Sequence, residues 1–203
     1  MVRYSGRSSQ RRAAIRTAAA GGALGLLATA LGAAPAAADT GVVNYTCSAS
    51  ILTNQAFTAT ARGTAPATAT VGEAIGLSDF SADVTVNSSA TGTLYWFIGA
   101  RSVTGTAALQ IAAEGTGLAA APANVQVPAT PVPSSGELTV RGTGPAPTFT
   151  PTAPGTVRFQ AGNFTAALVT TNANGGTSNI PVNCTLNPGQ DTTIASTTVL
   201  AAS

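Results

Sequence analysis

The chain has 203 residues, 8% of them charged, and it contains neither histidine nor lysine, which excludes Ser–His–Asp triads, Cys–His pairs, Ser–Lys catalysis and Schiff bases. Five of the nine arginines lie in the first sixteen residues, and the rest of the chain has four arginines against seven carboxylates, a net charge of −3. Nucleic acids need a cluster of cations on their partner, so we expect no nucleic-acid binding.

Residues 1–38 have the pattern of a cleavable export signal. A basic start is followed by an uncharged stretch rich in Ala, Gly and Leu over residues 17–34, and Ala36 and Ala38 place small side chains before a cleavage point. We predict a signal peptide over residues 1–38 and one mature domain over residues 39–203. The protein is therefore expected to be secreted or associated with the cell envelope.

This leader leaves two alternatives open. The pair Arg11 and Arg12 fits twin-arginine export as well as the general route for unfolded chains, although a disulfide in the mature domain favours the general route. A membrane anchor is the alternative to cleavage, but a helix of Ala and Gly is only mildly apolar. We expect no stable membrane insertion.

The mature sequence alternates apolar and polar residues with a period of two, which is the pattern of strands with one buried face. Thr and Val are abundant, and both fit a pleated surface. Turns rich in Pro and Gly separate the runs, and residues 172–176 have the composition of a hairpin turn. Many short strands with frequent turns predict an all-β sandwich or barrel. The alternating runs start at Val43, Phe57, Val84, Leu109, Leu138, Val157 and Ile180.

The chain has two cysteines, Cys47 near the start of the predicted domain and Cys184 near its end. In an exported protein such a pair most simply forms one disulfide, and both residues lie on the apolar face of their strands. Closing so long a loop stabilises a fold by roughly 5 kcal/mol in the chain-entropy treatment. Two free thiols or an intermolecular bridge are the alternatives. Two sulfurs with no histidine cannot complete a tetrahedral site without carboxylates, so we expect no metal there. We also expect no cofactor.

One segment interrupts the alternation. Leu94 to Ile98 is a run of five large apolar residues that holds the only tryptophan. It fits either a buried strand or one helical turn that plugs an end of the sandwich. A domain with so few large side chains needs them inside, so we expect the run in the core. The alternative is a binding surface, on which Tyr95, Trp96 and Phe97 are the candidate ligand-binding residues.

The sequence identifies no catalytic residue, and its acidic residues give one weak motif. Asp79, Ser81 and Asp83 place oxygens at alternate positions, as at the start of a calcium loop. The glycine expected at the sixth position and the closing glutamate are missing. We therefore expect solvated carboxylates in a loop rather than a cation site.

The two ends of the domain resemble a family of secreted actinomycete β-domains of uncharacterised function. The resemblance depends on residues 43–47 (VNYTC) and residues 180–190 (IPVNCTLNPGQ), with weaker Pro and Gly positions between them, and it covers about residues 42–200. It implies secretion, a disulfide that joins the two ends, and an immunoglobulin-like sandwich. Some similar proteins are named cholesterol esterase, but no catalytic residue transfers to a position in this sequence.

These observations favour a non-enzymatic binding or structural module outside the cell or in its envelope, whose partner is an unknown extracellular ligand or cell-wall component. The second hypothesis is a secreted lipid or sterol ester hydrolase, from the resemblance and the apolar run; without histidine it would lack the usual base. The third is a carbohydrate-binding domain with Tyr95 and Trp96 as a stacking platform.

Overall fold

The computed structural model describes residues 36–49 and 52–202. Residues 1–35, which hold most of the predicted signal peptide, lie outside this part. Strands make up most of the described chain, and its helical part is short, so the all-β prediction is confirmed. The strands are β1 (Ala36–Asp39), β2 (Val43–Ala49), β3 (Leu52–Ala65), β4 (Thr68–Thr70), β5 (Ile75–Gly76), β6 (Ser78–Val86), β7 (Ala100–Glu114), β8 (Ala121–Pro131), β9 (Leu138–Thr143), β10 (Thr148–Phe149), β11 (Gly155–Asn172), β12 (Thr177–Leu186) and β13 (Thr193–Leu200).

The strands form a sandwich whose two layers are linked at their edges. The hydrogen-bonded path runs β12-β2-β3-β6-β9-β8-β7-β11, and β12 pairs with β11 as well as with β2, so the path returns to its start. β1 pairs with the end of β3. β13 pairs with the first part of β11, and β4 adds a short parallel strand beyond it. The eight strands of the closed path therefore surround one apolar interior.

The segment from β6 to β9 forms a Greek key. In space the order is β6-β9-β8-β7, so the chain leaves β6 by a long crossing and returns through the meander β7-β8-β9. The crossing carries α1 (Ser88–Gly92) and a π-helical turn (Thr93–Phe97). This topology places the apolar run of the sequence at one end of the sandwich, outside the strand ladder.

The corner between β8 and β9 depends on a glycine. The ladder narrows there to one residue pair, Gln126 with Thr143. Directly after β9, Gly144 passes so close to β8 that an added Cβ would lie 2.9 Å from the Cα of Val125 and closer still to the carbonyl oxygen of Asn124. Because a side chain would block this approach, glycine is what lets the two layers meet at this corner.

The hairpin turn predicted at residues 172–176 joins β11 to β12 and is confirmed. Asn172 Oδ1 accepts hydrogen bonds from the backbone N–H groups of Asn174 and Gly176, each at 2.9 Å. Gly175 has a φ of 81°, a conformation that glycine adopts without steric cost. Asn and Gly therefore have the local roles that their turn chemistry indicated.

The predicted disulfide between Cys47 and Cys184 is confirmed. The two residues are cross-strand partners in the β2–β12 pair, and both are buried. Gln190, just beyond β12, adds two hydrogen bonds to β2. Its Oε1 accepts from the N–H of Asn44 at 2.7 Å, and its Nε2 donates to the Asn44 carbonyl at 2.9 Å. The first strand of the closed path is thus tied to the C-terminal segment both covalently and by hydrogen bonds.

Tyr45 is the largest side chain buried near the disulfide. Its ring is 2% exposed and meets the ring of Phe164 edge to face, with centroids 5.0 Å apart. Its hydroxyl donates a hydrogen bond to the carbonyl of Gly162 at 3.1 Å. Burial raises the pKa of Tyr45 to about 12 because the phenolate would lose its hydration. At neutral pH this tyrosine is therefore a protonated core residue.

Candidate functional site

The apolar run folds as a helical segment and not as a strand. Asn87 caps α1, since its Oδ1 accepts a hydrogen bond from the N–H of Ala90 at 2.8 Å, as N-cap residues do. After the π-helical turn, Gly99 has a φ of 79° and turns the chain into β7. The sequence therefore provides a start and a stop on either side of the run.

The helical segment has one face toward the core and one face toward solvent. Ala90 is buried, and Leu94 and Ile98 are partly buried against the core. Trp96 is 72% exposed and Phe97 is 76% exposed. The expectation that the whole run lies in the core is wrong for these two aromatic residues. The reason is helical geometry: residues four apart share a face, so Leu94 and Ile98 face the core, and Trp96 and Phe97 lie on the other side of the turn.

We refer to Tyr95, Trp96, Phe97 and Arg101 as the aromatic cap. The rings of Tyr95 and Trp96 meet edge to face, with centroids 4.8 Å apart. The guanidinium of Arg101 lies 3.8 Å from the centroid of the Tyr95 ring, which is a cation–π contact, and its Nη1 donates to the Tyr95 carbonyl at 3.0 Å. One face of Tyr95 is therefore occupied, and Trp96 and Phe97 are the projecting parts of the cap.

The polar edge of Trp96 is used within the chain. Its Nε1–H donates to the carbonyl of Ser134 at 3.0 Å, in the connection between β8 and β9. The indole has no other hydrogen-bonding group. What Trp96 offers to a partner is consequently apolar ring surface.

Two residues of this site were missed by sequence reasoning. Arg101 follows the apolar run at the start of β7, and a lone arginine after a glycine turn is a weak signal. Ser134 meets Trp96 across a separation of 38 residues, and nothing in its local sequence marks the contact. Of the predicted residues, Tyr95, Trp96 and Phe97 do come together at one end of the sandwich.

The acidic motif of the sequence lies in a strand and not in a loop. Asp79 and Asp83 belong to β6. Asp83 forms an ion pair with Arg62 on the neighbouring strand, and its Oδ1 lies 3.9 Å from Nε of Arg141, its cross-strand partner in β9. The expectation of solvated loop carboxylates is therefore wrong for Asp83, because two arginines from adjacent strands neutralise it.

Two further observations apply to residues 36–49 and 52–202. No three His, Cys, Asp or Glu side chains in this part of the chain come together as the ligands of a metal ion would. No helix in it is both long enough and apolar enough to cross a bilayer.

The interior of the sandwich is incompletely filled. A cavity of about 80 Å³ lies between the layers, and a second of about 50 Å³ lies toward the helical segment. The two cavities share five apolar wall residues, so they adjoin. Leu94 and Ala90 line the smaller one. The shared residues are Phe57, Val86, Val140, Leu168 and Val182. The helical segment that carries the aromatic cap thus forms the end wall of an apolar interior.

Comparison with known proteins gives one family. No curated protein and no solved structure matches the chain significantly. DUF6801, described as a family of unknown function, matches residues 44–195. The match runs from β2 into β13 and includes both cysteines, the closed path of strands and the aromatic cap. The chain therefore belongs to DUF6801, a family of unknown function.

Proposed function

We propose that this chain is an exported, non-catalytic binding module that acts outside the cell or in its envelope and contacts its partner through the aromatic cap. The observation that carries the proposal is the exposure of Trp96 (72%) and Phe97 (76%). Aromatic residues are enriched at protein interfaces, and exposed apolar patches mark interaction sites. The partner is an extracellular ligand or cell-wall component that presents an apolar face.

The chemistry of the chain supports a binding role over a catalytic one. The sequence has no histidine and no lysine, Tyr45 is protonated at neutral pH, and Asp83 is paired with Arg62. A secreted ester hydrolase, the alternative from the resemblance, needs a nucleophile with a base beside it. The cap contains no carboxylate or imidazole to serve as that base, and its one charged side chain, Arg101, is a permanent cation.

The geometry also refines the carbohydrate alternative. A sugar stacks on a ring face, but one face of Tyr95 is covered by Arg101 and the Tyr95 and Trp96 rings are inclined at 69°. They do not form one flat platform. Contact through the projecting rings of Trp96 and Phe97 is therefore favoured over a two-ring platform of Tyr95 and Trp96.

The test measures binding of the purified, oxidised protein to three probes: insoluble peptidoglycan, chitin and phospholipid vesicles. Whichever probe the wild type binds, the double variant Trp96→Ala with Phe97→Ala should bind it at least about tenfold more weakly than the wild type, as expected for aromatic anchors. Trp96 is the only tryptophan in the sequence. Its fluorescence therefore reports contact at the cap directly, and its emission should be that of a solvated indole before the probe is added.

Leu118→Ala is the matched control. Leu118 is 44% exposed and follows the far end of β7 (Ala100–Glu114), the strand that begins beside the cap. This variant should bind as the wild type does. Equal binding by the double variant, or retention of the wild type on none of the three probes, would contradict the proposal. Turnover of nitrophenyl or sterol esters by the pure protein would favour the hydrolase instead.

A further inference from the structure

The cavity between the layers is lined by unusually small side chains. Seven of its twenty lining residues are Ala or Gly. Ala107 in β7 and Ala166 in β11 are direct cross-strand partners, and both line the cavity. Both pack against the core, yet each is only partly buried. The void therefore lies where large side chains are missing from facing strands.

Water is a poor occupant for this space. A buried water needs two to four polar partners, and apolar cavities stay dry. The polar wall groups are already used: the Tyr45 hydroxyl donates to Gly162, and the Thr40 hydroxyl donates to the carbonyl of Gly41 at 2.8 Å. Within the described residues no buried side-chain nitrogen or oxygen lacks a hydrogen-bond partner. An occupant would find hydrocarbon on every side.

The walls are also held apart. Eight strands surround the space in a closed path, and the disulfide between Cys47 and Cys184 fixes the β2–β12 pair of that path. Interiors normally close around small residues to reach crystal-like density. Here collapse would break ladder hydrogen bonds on several strands at once, which is why the space persists.

We propose that this interior is a binding site for one slim, unbranched hydrocarbon chain. The adjoining cavities of about 80 Å³ and about 50 Å³ are together close to the size of an engineered apolar cavity of about 150 Å³ that binds benzene. A short alkyl chain fits two adjoining spaces of this volume, whereas a sterol ring system is too large for them. The site does not depend on the aromatic cap and is a second function of the same domain.

The smaller cavity provides the way in. Ala90 and Leu94 form part of its wall, and they belong to the helical segment between β6 and β7. This wall lies outside the strand ladder, so its displacement would break no ladder hydrogen bond. An alkyl chain therefore enters beneath the helical segment and reaches the larger cavity past Phe57 and Val140, which border both spaces.

The experiment records methyl spectra of the ¹³C-labelled protein during titration with n-hexane. The Ala107 and Leu168 methyl signals should shift saturably, and the exposed Val42, 71% accessible, should not. Hexanoate and a dihexanoyl phospholipid serve as further probes, which distinguish a free acid from a lipid tail as the source of the chain. The melting temperature should rise with hexane, since a ligand of the folded state stabilises it.

The filling variant Ala107→Leu should abolish the hexane shift while the fold is retained. If that variant does not fold, Ala166→Val fills the same space from the partner strand and serves in its place. The absence of a saturable shift in the wild type, or equal shifts in a folded filling variant, would overturn the inference. The cap variant Trp96→Ala with Phe97→Ala should still take up hexane. Hexane titration therefore tests the interior site, and probe binding tests the contact surface, so each proposal can fail without the other.

Discussion

Cys47 and Cys184 stand opposite each other in the β2–β12 pair with their Cα atoms 4.1 Å apart, although 137 residues separate them along the chain. In chain order β2 is the first strand of the closed path and β12 is the last. The disulfide joins these two strands, and β12 continues the path to β11. Most of the strands, from β3 to β11, are entirely inside the covalent loop. The disulfide therefore acts on the folding of the whole domain and not on one local turn.

Replacement of both cysteines (Cys47→Ala with Cys184→Ala) should lower the free energy of unfolding by roughly 3 to 5 kcal/mol, because a loop this long loses much chain entropy when it is closed. Urea unfolding followed by circular dichroism measures the change. A reductant should shift the wild type toward the variant and leave the variant unaffected. Unpaired thiols in the non-reduced protein by mass spectrometry would contradict the assignment.

Two glycines of the domain should respond to alanine in opposite directions. Gly144→Ala should destabilise the fold by about 2 kcal/mol or more, because its Cβ would meet the backbone of Val125 at 2.9 Å. Gly92→Ala is the matched control: an added Cβ meets nothing within 4 Å, and the φ of Gly92 is −60°. It should stabilise the short helix by about 0.5 to 1 kcal/mol.

Thermal and urea unfolding of the two variants under one set of conditions measures both changes. If Gly144→Ala left the free energy of unfolding unchanged, β8 and β9 would not approach as closely as the corner requires. A destabilising Gly92→Ala would show that α1 is not helical at this position.

The predicted export signal makes a further prediction about β1. Cleavage after Ala38 would remove three of the four residues of β1 (Ala36–Asp39) and leave Asp39, which lies 3.7 Å from Arg62, as the new N-terminus. Protein sequencing of the exported chain should therefore begin at Asp39. Ala38→Leu places a large residue before the cleavage point and should retain the leader. An N-terminus upstream of Ala36 in the wild type would show that β1 is kept in the mature protein.

The strands could be predicted from the sequence because their signal is local. Alternation around Tyr45 and around Val182 correctly placed both cysteines on buried faces, and the residues of the turn at 172–176 identified its hairpin. The strand order could not be predicted in this way. Pairing of β12 with both β2 and β11 joins distant segments, and only the two cysteines gave any sign of it.

The composition of the sequence located the candidate site, but it did not predict that Trp96 and Phe97 are exposed. A run of five apolar residues indicates burial, and burial of Leu94 and Ile98 is what the helix partly achieves. The exposure of Trp96 follows from the helix between Asn87 and Gly99, since a helical turn directs only some of its residues toward the core. The small residues around the cavity carried no signal at all, because alanine is abundant throughout this chain.

The last prediction concerns the stability of the fold at alkaline pH. Burial raises the pKa of Tyr45 to about 12, against about 10 for an unfolded tyrosine. The folded state thus holds its proton to higher pH than the unfolded state. The resulting stabilisation is fully present below pH 10 and is lost as the pH rises from 10 through 12, by roughly 2 to 3 kcal/mol in the free energy of unfolding. The chain has no lysine and both cysteines are bonded, so few other groups titrate in this window.

Urea unfolding at a series of pH values from 9 to 12 measures this loss. Tyr45→Phe keeps the ring against Phe164 but removes the hydroxyl bonded to Gly162. It should cost about 1 kcal/mol at neutral pH and should flatten the fall between pH 10 and 12, whereas Tyr95→Phe should leave that fall in place. If Tyr45→Phe and the wild type lost stability in parallel above pH 10, the hydroxyl of Tyr45 would not be buried in the folded protein, and the packing of β2 against β11 would have to be different.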